Sequence, residues 1–275
     1  MAAALGLGQL FGFLLALVVV VASREPMPDP SFIVWAVAGG ISGVVGLSAF
    51  YLALSRGTMS LVAPLTALIG ATVPALVGIA GGQVPGPLLA TGMVVALAAV
   101  AVISLPEGAE RRRPSLASLR GALGGARGAE LGLILVAGLG FAGFFLGTAQ
   151  ARAVGGGVLW PLLTVRVSGL IVVWSGIAVL LATGKLRSIR IRRSVLPVAV
   201  LAGAGDTGGN FFFLLAIAQG TLPVAVVLSS LYPVQTTLLA RFLLHERLSR
   251  LRLAGVALAV LGVVLISVGA VLDAA

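Results

Sequence analysis

The sequence predicts an all-α polytopic membrane protein of about nine transmembrane helices, arranged as four plus five. Composition, segment length and the placement of charge predict it. Of the 275 residues, 59% are hydrophobic and 9% charged, and the mean hydropathy is +1.17. A water-soluble domain carries about a quarter charged residues. Nine apolar stretches approach or exceed the length that crosses a bilayer, about 20 residues. The charges collect between those stretches, where lipid headgroups and the positive-inside rule place them. The net charge of +10 is therefore read as membrane topology and not as a nucleic-acid footprint.

The stretches run in order near 4–23, 31–55, 58–81, 86–105, 130–151, 158–183, 195–219, 221–244 and 250–272. The first lacks the basic n-region of a secretory signal, and its apolar run exceeds a signal core, so it is read as a span. "SREPMPDP", "SRGT" and "GGQVPGP" separate the next three; Gly, Pro and charge are turn chemistry. The third span holds Pro64 and Pro74. Residues 106–129, Arg-rich and Gly-rich, read as a linker between two halves. In the second half Arg166 lies inside 158–183 and Asp206 inside 195–219. Tyr232, Pro233 and Gln235 interrupt 221–244. Backbone groups in lipid must pair internally, and these continuous apolar runs lack the alternation of barrel strands, so the spans are helices.

The two halves superpose with a shift of 163 residues. Gly40 then falls on Gly203, Gly46 on Gly209, Phe50 on Phe213, Gly57-Thr58 on Gly220-Thr221, Gly92 on Gly255, and Ile103-Ser104 on Ile266-Ser267. The expected organisation is a first repeat at 1–105, the linker at 106–129 and a second repeat at 130–275. Span 130–151 opens the second half, and nothing in the first half plays its part. The spans of one five-helix repeat are odd in number, so the second copy is inverted, a common transporter architecture with its substrate site near the midplane. Loops of one side carry 14 basic residues (Arg56; Arg111, Arg112, Arg113, Arg120, Arg127; Lys185, Arg187, Arg190, Arg192, Arg193; Arg247, Arg250, Arg252), against Arg24 and Arg152 on the other. This bias places the N-terminus and the linker in the cytoplasm and the C-terminus outside.

"LSSLYPVQTTLLARFLLHERLSRLRLAGVALAVLGVVLIS", residues 228–267, with "NFFFLLAIAQGTLPVAVV" before it, resembles the closing helices of the EamA-type repeat of the drug/metabolite transporter superfamily. The resemblance implies ten helices in two inverted five-helix repeats, and export of amino acids, other metabolites or toxic compounds. The chain departs from that pattern in three ways. The opening helix, which in the family contributes to the central cavity, has no counterpart here. Gln83 stands where Glu246 stands in the other half. The loop charges put the C-terminus outside, whereas the resemblance implies both termini inside.

An ionisable group in mid-membrane costs at least about 2.5–3.5 kcal/mol and is a functional hypothesis by default. Asp206 is the clearest case, with Asn210 one turn on along the same face. They are read as a substrate-binding or coupling pair, or as a structural hydrogen bond between helices. Arg166 has three readings of equal weight: partner of Asp206, receptor for a substrate carboxylate, or a side chain reaching the outer headgroups. Tyr232 and Gln235 flank Pro233, which removes a backbone hydrogen bond; with Pro64 and Pro74 it is a kink candidate. Phe141, Phe144, Phe145, Phe211, Phe212 and Phe213 read mainly as packing or lipid-facing residues.

There is no Cys and one His, His245, so no metal site, cofactor or enzymatic triad is expected. A Walker-type loop is missing as well, which leaves a secondary transporter. The competing readings are an accessory protein with an incomplete repeat and, further off, a membrane-embedded enzyme. The expected partners are a small-molecule substrate and the lipid bilayer, not nucleic acid; a homo-oligomer is compatible with the sequence. The expected location is the plasma membrane, as in a bacterial inner membrane.

Overall fold

The computed structural model describes residues 2–56, 59–104, 128–184, 196–243 and 249–273. Ten α-helices account for nearly all of them: α1 (Ala2–Ser23), α2 (Phe32–Arg56), α3 (Met59–Ala80), α4 (Pro87–Ile103), α5 (Gly128–Ala151), α6 (Leu159–Ala182), α7 (Leu196–Gln219), α8 (Leu222–Ser229), α9 (Tyr232–Leu243) and α10 (Arg250–Asp273). Among the described residues there is no strand. Eight segments are long and apolar enough to cross a membrane, with α8 and the start of α9 counted as one, and α4 is a shorter apolar helix. The protein is thus an all-α polytopic membrane protein. Large apolar side chains such as Leu201, Phe212 and Val271 stand exposed, as lipid-facing positions require. Most of the expected linker, the basic run from Lys185, and His245 to Arg247 lie outside the described residues.

Two expectations are refined. The span expected over 86–105 is a 17-residue helix, opened by Pro87 at its first position, where the missing N–H costs nothing. The span expected over 221–244 is two helices. The α8 helix closes with the Ser230 amide donating to the Val226 and Val227 carbonyls at 3.0 and 3.1 Å. Tyr232 and Pro233 then form the first turn of α9. Pro233 has no N–H to offer the Ser229 carbonyl, so the ladder is interrupted at Ser230–Leu231. The α3 helix, by contrast, runs unbroken through Pro64 and Pro74.

The chain forms two compact units, and neither is one half of the sequence. The first comprises Met1–Val44 and Gly143–Gly220, the second Val45–Ala142 and Thr221–Ala275. In the first unit α1 packs against both α6 and α7. Glycines permit this: a Cβ at Gly203 would lie 2.9 Å from the Gly12 nitrogen and 3.1 Å from Phe11 Cβ. The start of α2 lies on α5 and α6 through Phe32, Ala36, Ala151 and Val165, all buried. Small residues let backbones approach in lipid, where tight packing replaces the hydrophobic effect as the source of helix association. At the end of α5 a π-turn, Arg152–Gly156, bends the chain with Gly155 at φ 94°, a conformation that only glycine adopts without strain. Several links tie the loop ends of this unit together. Trp160 Nε1 donates to the Glu25 carbonyl at 3.2 Å, and Arg152 Nη2 donates to the Ala218 carbonyl at 3.2 Å.

In the second unit α4 and α10 run antiparallel along their lengths. A Cβ at Gly255 would meet Ile103, one at Gly262 would meet Ala96, and one at Gly269 would meet Leu89. The steps are seven residues on both helices, so the same face returns every two turns. Gly92 meets Ile266 as Gly255 meets Ile103. These are the residues that the 163-residue shift exchanges. At the end of this seam the Gly86 amide donates to Asp273 Oδ2 at 2.8 Å. Gln83 Oε1 accepts from the Leu222 amide at 2.8 Å, capping the first turn of α8. Ala53, Val62 and Ile134 form the apolar core where α2, α3 and α5 meet.

Candidate functional site

The first unit holds a buried charge. Arg166 lies in α6 with its side chain 3% exposed, and its Nη1 donates to Oδ2 of Asp206 in α7, whose side chain is 55% exposed. Arg166 is seven residues from the N-terminal end of α6, about 10 Å at 1.5 Å per residue. Asp206 is thirteen residues from the C-terminal end of α7, about 20 Å by the same rise. The pair therefore lies within the membrane-spanning part of both helices. Of the three readings of Arg166, the geometry shows the partnership with Asp206.

The guanidinium is only partly used. Its Nε and Nη2 are buried and lack a hydrogen-bond partner, and so does Thr207 Oγ1. Thr207 is unusual. The hydroxyls of Thr91, Thr148, Thr164 and Thr183 each donate to the carbonyl one turn back, at 2.7 to 2.9 Å. Such back-bonding is the ordinary fate of a helical threonine. Thr207 Oγ1 instead faces α1, 2.7 Å from where a Gly12 Cβ would stand, and Arg166 Nη1 is 3.5 Å from the same point. Gln9, also in α1, is buried, with Oε1 3.3 Å from where a Gly169 Cβ would stand. Two glycines of this packing thus adjoin polar groups: Gly12 the Thr207 hydroxyl and Arg166 Nη1, and Gly169 the Gln9 amide.

Asp206 sits on an open surface of α7. Gly205, Gly208 and Gly209 each have nothing within 4 Å of a Cβ position. The 163-residue shift places Gly39, Gly43 and Gly46 of α2 on Ala202, Asp206 and Gly209. In α2 that face is packed: Gly39 meets the backbone of Phe144 and Thr148, Gly43 meets the Phe144 ring, and Gly46 meets the backbone of Ala137 and Phe141. Where α2 has a packing glycine, α7 has a carboxylate with one side open.

Asn210 lies one turn beyond Asp206 and is half-buried. Tyr232 and Gln235 belong to the second unit and are exposed, so the structure brings together Arg166 and Asp206 but groups neither Tyr232 nor Gln235 with them. Phe145 and Phe213 pack with ring centroids 4.7 Å apart, Phe50 and Phe141 at 6.0 Å, and Phe212 is exposed. The residues that sequence reasoning missed are Gln9 and Thr207. Gln9 carried a signal, as a lone amide in the apolar run "ALGLGQLFGFLLALVVVVA". Thr207 carried none, because only the packing reveals that its hydroxyl is unpaired. Among the described residues no cluster of three or more His, Cys, Asp or Glu side chains is placed to hold a metal.

A comparison with protein-family profiles matches residues 129–268 to the EamA-like transporter family. The chain belongs to the EamA-like transporter family. Its members are membrane transporters of the drug/metabolite type. A comparison with curated proteins returns no match. A solved structure, titled only as a crystal structure of a protein, is similar with a TM-score of 0.71 at 19% identity, over 97% of this chain and 88% of that one. At that identity the likeness concerns the fold alone.

Proposed function

We propose that this EamA-like transporter is a secondary exporter of amino acids, other small metabolites or toxic compounds in the plasma membrane, as in a bacterial inner membrane. It works by alternating access between two inverted repeats, and Asp206 couples transport to protons. One observation carries the reading. A half-exposed carboxylate stands in mid-membrane on an open, glycine-flanked face, at the position where the equivalent helix has a packing glycine. An intramembrane charge costs at least about 2.5–3.5 kcal/mol, and packing alone would be served by Gly or Ala. Protonating Asp206 removes the charge that holds Arg166 Nη1, so proton binding and release switch the α6–α7 link. The exchange of Gly92–Ile266 with Gly255–Ile103 supports the inverted repeat. The remaining site candidates, Asn210, Tyr232 and Gln235, are assigned to cargo contact, with the α8–α9 break at Pro233 supplying exposed backbone.

The test compares cells overproducing the wild type with cells producing Asp206→Asn at equal membrane abundance. Small molecules are profiled in medium and cytoplasm, with and without a protonophore. The expected result is at least one compound enriched in the medium by the wild type alone, with the enrichment abolished by the protonophore. Equal export by both proteins removes Asp206 from the mechanism, and no change in any pool removes the exporter.

A further inference from the structure

On the reading that Asp206 binds and releases the coupling proton, we infer that Gln9 is a second acceptor for the Arg166 guanidinium and takes hold of it when Asp206 is protonated. The α6–α7 link is then exchanged for an α6–α1 link. Arg166 is buried, and of its guanidinium Nη1 is engaged by Asp206, while Nε and Nη2 are buried without a partner. With Asp206 charged, the cation has an anion beside it. With Asp206 protonated it has none, and a buried cation left without its partner is strongly destabilising. The α1 helix packs on both α6 and α7 and supplies a buried amide, Gln9. An amide oxygen accepts from a guanidinium without adding a charge of its own. Gln9 touches no cargo in this scheme; it acts through Arg166, as a positioning residue.

The packing places Gln9 one turn from the guanidinium on both helices. Gln9 and Gly12 are three residues apart on α1, and Arg166 and Gly169 are three apart on α6. Residues at that spacing share a face, with about 5–6 Å between Cβ positions. Arg166 Nη1 lies 3.5 Å from where a Gly12 Cβ would stand, and Gln9 Oε1 lies 3.3 Å from where a Gly169 Cβ would stand. The two pairs thus face each other in opposite order, Gln9 on Gly169 and Gly12 on Arg166. Rotation about the Gln9 side-chain bonds swings Oε1 from Gly169 towards Gly12, and neither glycine has a side chain in the way. No cavity is required, because both groups already belong to the packing and only their torsions change. Thr207 Oγ1, 2.7 Å from the same Gly12 position, is the rival acceptor and is tested alongside. Among the described residues α1 has no ionisable side chain, α6 has Arg166 alone and α7 has Asp206 alone. Tyr51, Arg56 and Glu130 of α2 and α5 lie in the second unit. Within these helices of the first unit, the titration that frees the guanidinium is therefore that of Asp206.

The experiment is a double-mutant cycle on the purified full chain in detergent, read by thermal unfolding. Asp206→Leu stands for the neutral state, with neither charge nor acceptor. Gln9→Leu is expected to lower the unfolding temperature by about 5 °C more in Asp206→Leu than in the wild type, the loss of one hydrogen bond to a charged group. Gln9→Glu moves the anion to α1. It is expected to raise the unfolding temperature of Asp206→Leu, or to restore folding if Asp206→Leu alone does not fold. An equal loss from Gln9→Leu in the two backgrounds makes Gln9 a packing residue and overturns the proposal. So does a coupling to Asp206 that arises with Thr207→Val and not with Gln9→Leu, or a Gln9→Glu substitution that recovers nothing. The cycle is read without transport. A chain that shows the coupling but exports nothing keeps Gln9 as second acceptor and loses the exporter reading; one that exports in a protonophore-sensitive way without the coupling does the reverse.

Discussion

At the scale of the residue, the Arg166–Asp206 pair is lopsided, and the lopsidedness is testable. The guanidinium is almost fully buried and the carboxylate is half exposed. Removing one partner of a buried pair costs up to about 3–5 kcal/mol because the other charge is stranded. Asp206→Ala strands a buried cation, whereas Arg166→Met strands an anion with its own access to the open face. Asp206→Ala is therefore expected to be the more destabilising, by about 1–2 kcal/mol, in denaturant unfolding in mixed micelles; the reverse order contradicts the burial. A second carboxylate gives a pH prediction outside the membrane. Asp29 Oδ1 accepts from the Ser31 amide at 2.9 Å, just before α2. The backbone and side-chain hydrogen bonds of Ser31 hold the Asp29 carboxyl below its ordinary range. A depressed folded pKa means a contribution complete above the unfolded value and lost as pH falls through the folded one. The Asp29 carboxyl resonance is expected to titrate below that of Asp29 in a denatured chain. Of the site, the sequence made Asp206 and Arg166 legible because a charge in an apolar run is conspicuous. It did not choose between the readings of Arg166, because that choice depends on how α6 and α7 are rotated. Thr207 stayed hidden because threonine in a membrane helix normally satisfies itself.

At the scale of the element, glycine has two meanings in this chain, and packing tells them apart. Gly262 faces Ala96 so closely that a Cβ would lie 2.8 Å from its nitrogen and 3.0 Å from its Cα. Gly176, also in a helix, has nothing within 4 Å. Gly262→Ala forces α4 and α10 apart and is expected to cost about 1–3 kcal/mol, the range of overpacked cores. Gly176→Ala meets no neighbour and reduces the freedom of the unfolded chain, so it is expected to be neutral or stabilising by up to about 1 kcal/mol. Thermal unfolding of the two variants in one detergent reads the contrast. Equal effects are incompatible with the α4–α10 seam. The existence and order of the spans were legible, since a run of apolar residues in a bilayer has one way to pair its backbone. Their interruptions were less so: Pro64, Pro74 and Pro233 all read as kink candidates, yet of the three only Pro233 stands beside a break between helices. The grouping of helices was not legible at all. The two compact units cut across the two sequence halves, because α2 and α5 each contribute to both.

At the scale of the whole molecule, the loops that hydrogen bonds join within each unit are the ones that carry few basic residues. Within the first unit the ends of α1, α5 and α7 and the starts of α2 and α6 are joined through Trp160–Glu25, Arg152–Ala218 and the Ser31 hydroxyl on the Val154 carbonyl at 3.4 Å. Within the second unit the Gln83–Leu222 and Gly86–Asp273 bonds join the end of α3, the starts of α4 and α8, and the end of α10. From their charge, the positive-inside rule leads one to expect these loops outside. The chain contains no cysteine, so single cysteines report position without background. Met27→Cys, Val84→Cys and Leu272→Cys are expected to react with a membrane-impermeant maleimide applied to intact cells, or to spheroplasts if an outer membrane is present. Ser55→Cys and Thr183→Cys are expected to react only after the membrane is opened. Labelling of Ser55→Cys and Thr183→Cys in intact membranes, with protection of the other three, reverses the orientation. Protection of Leu272→Cys alone breaks the link between α4 and α10 that the Gly86–Asp273 bond requires, because that bond puts the end of α10 on the side of Val84.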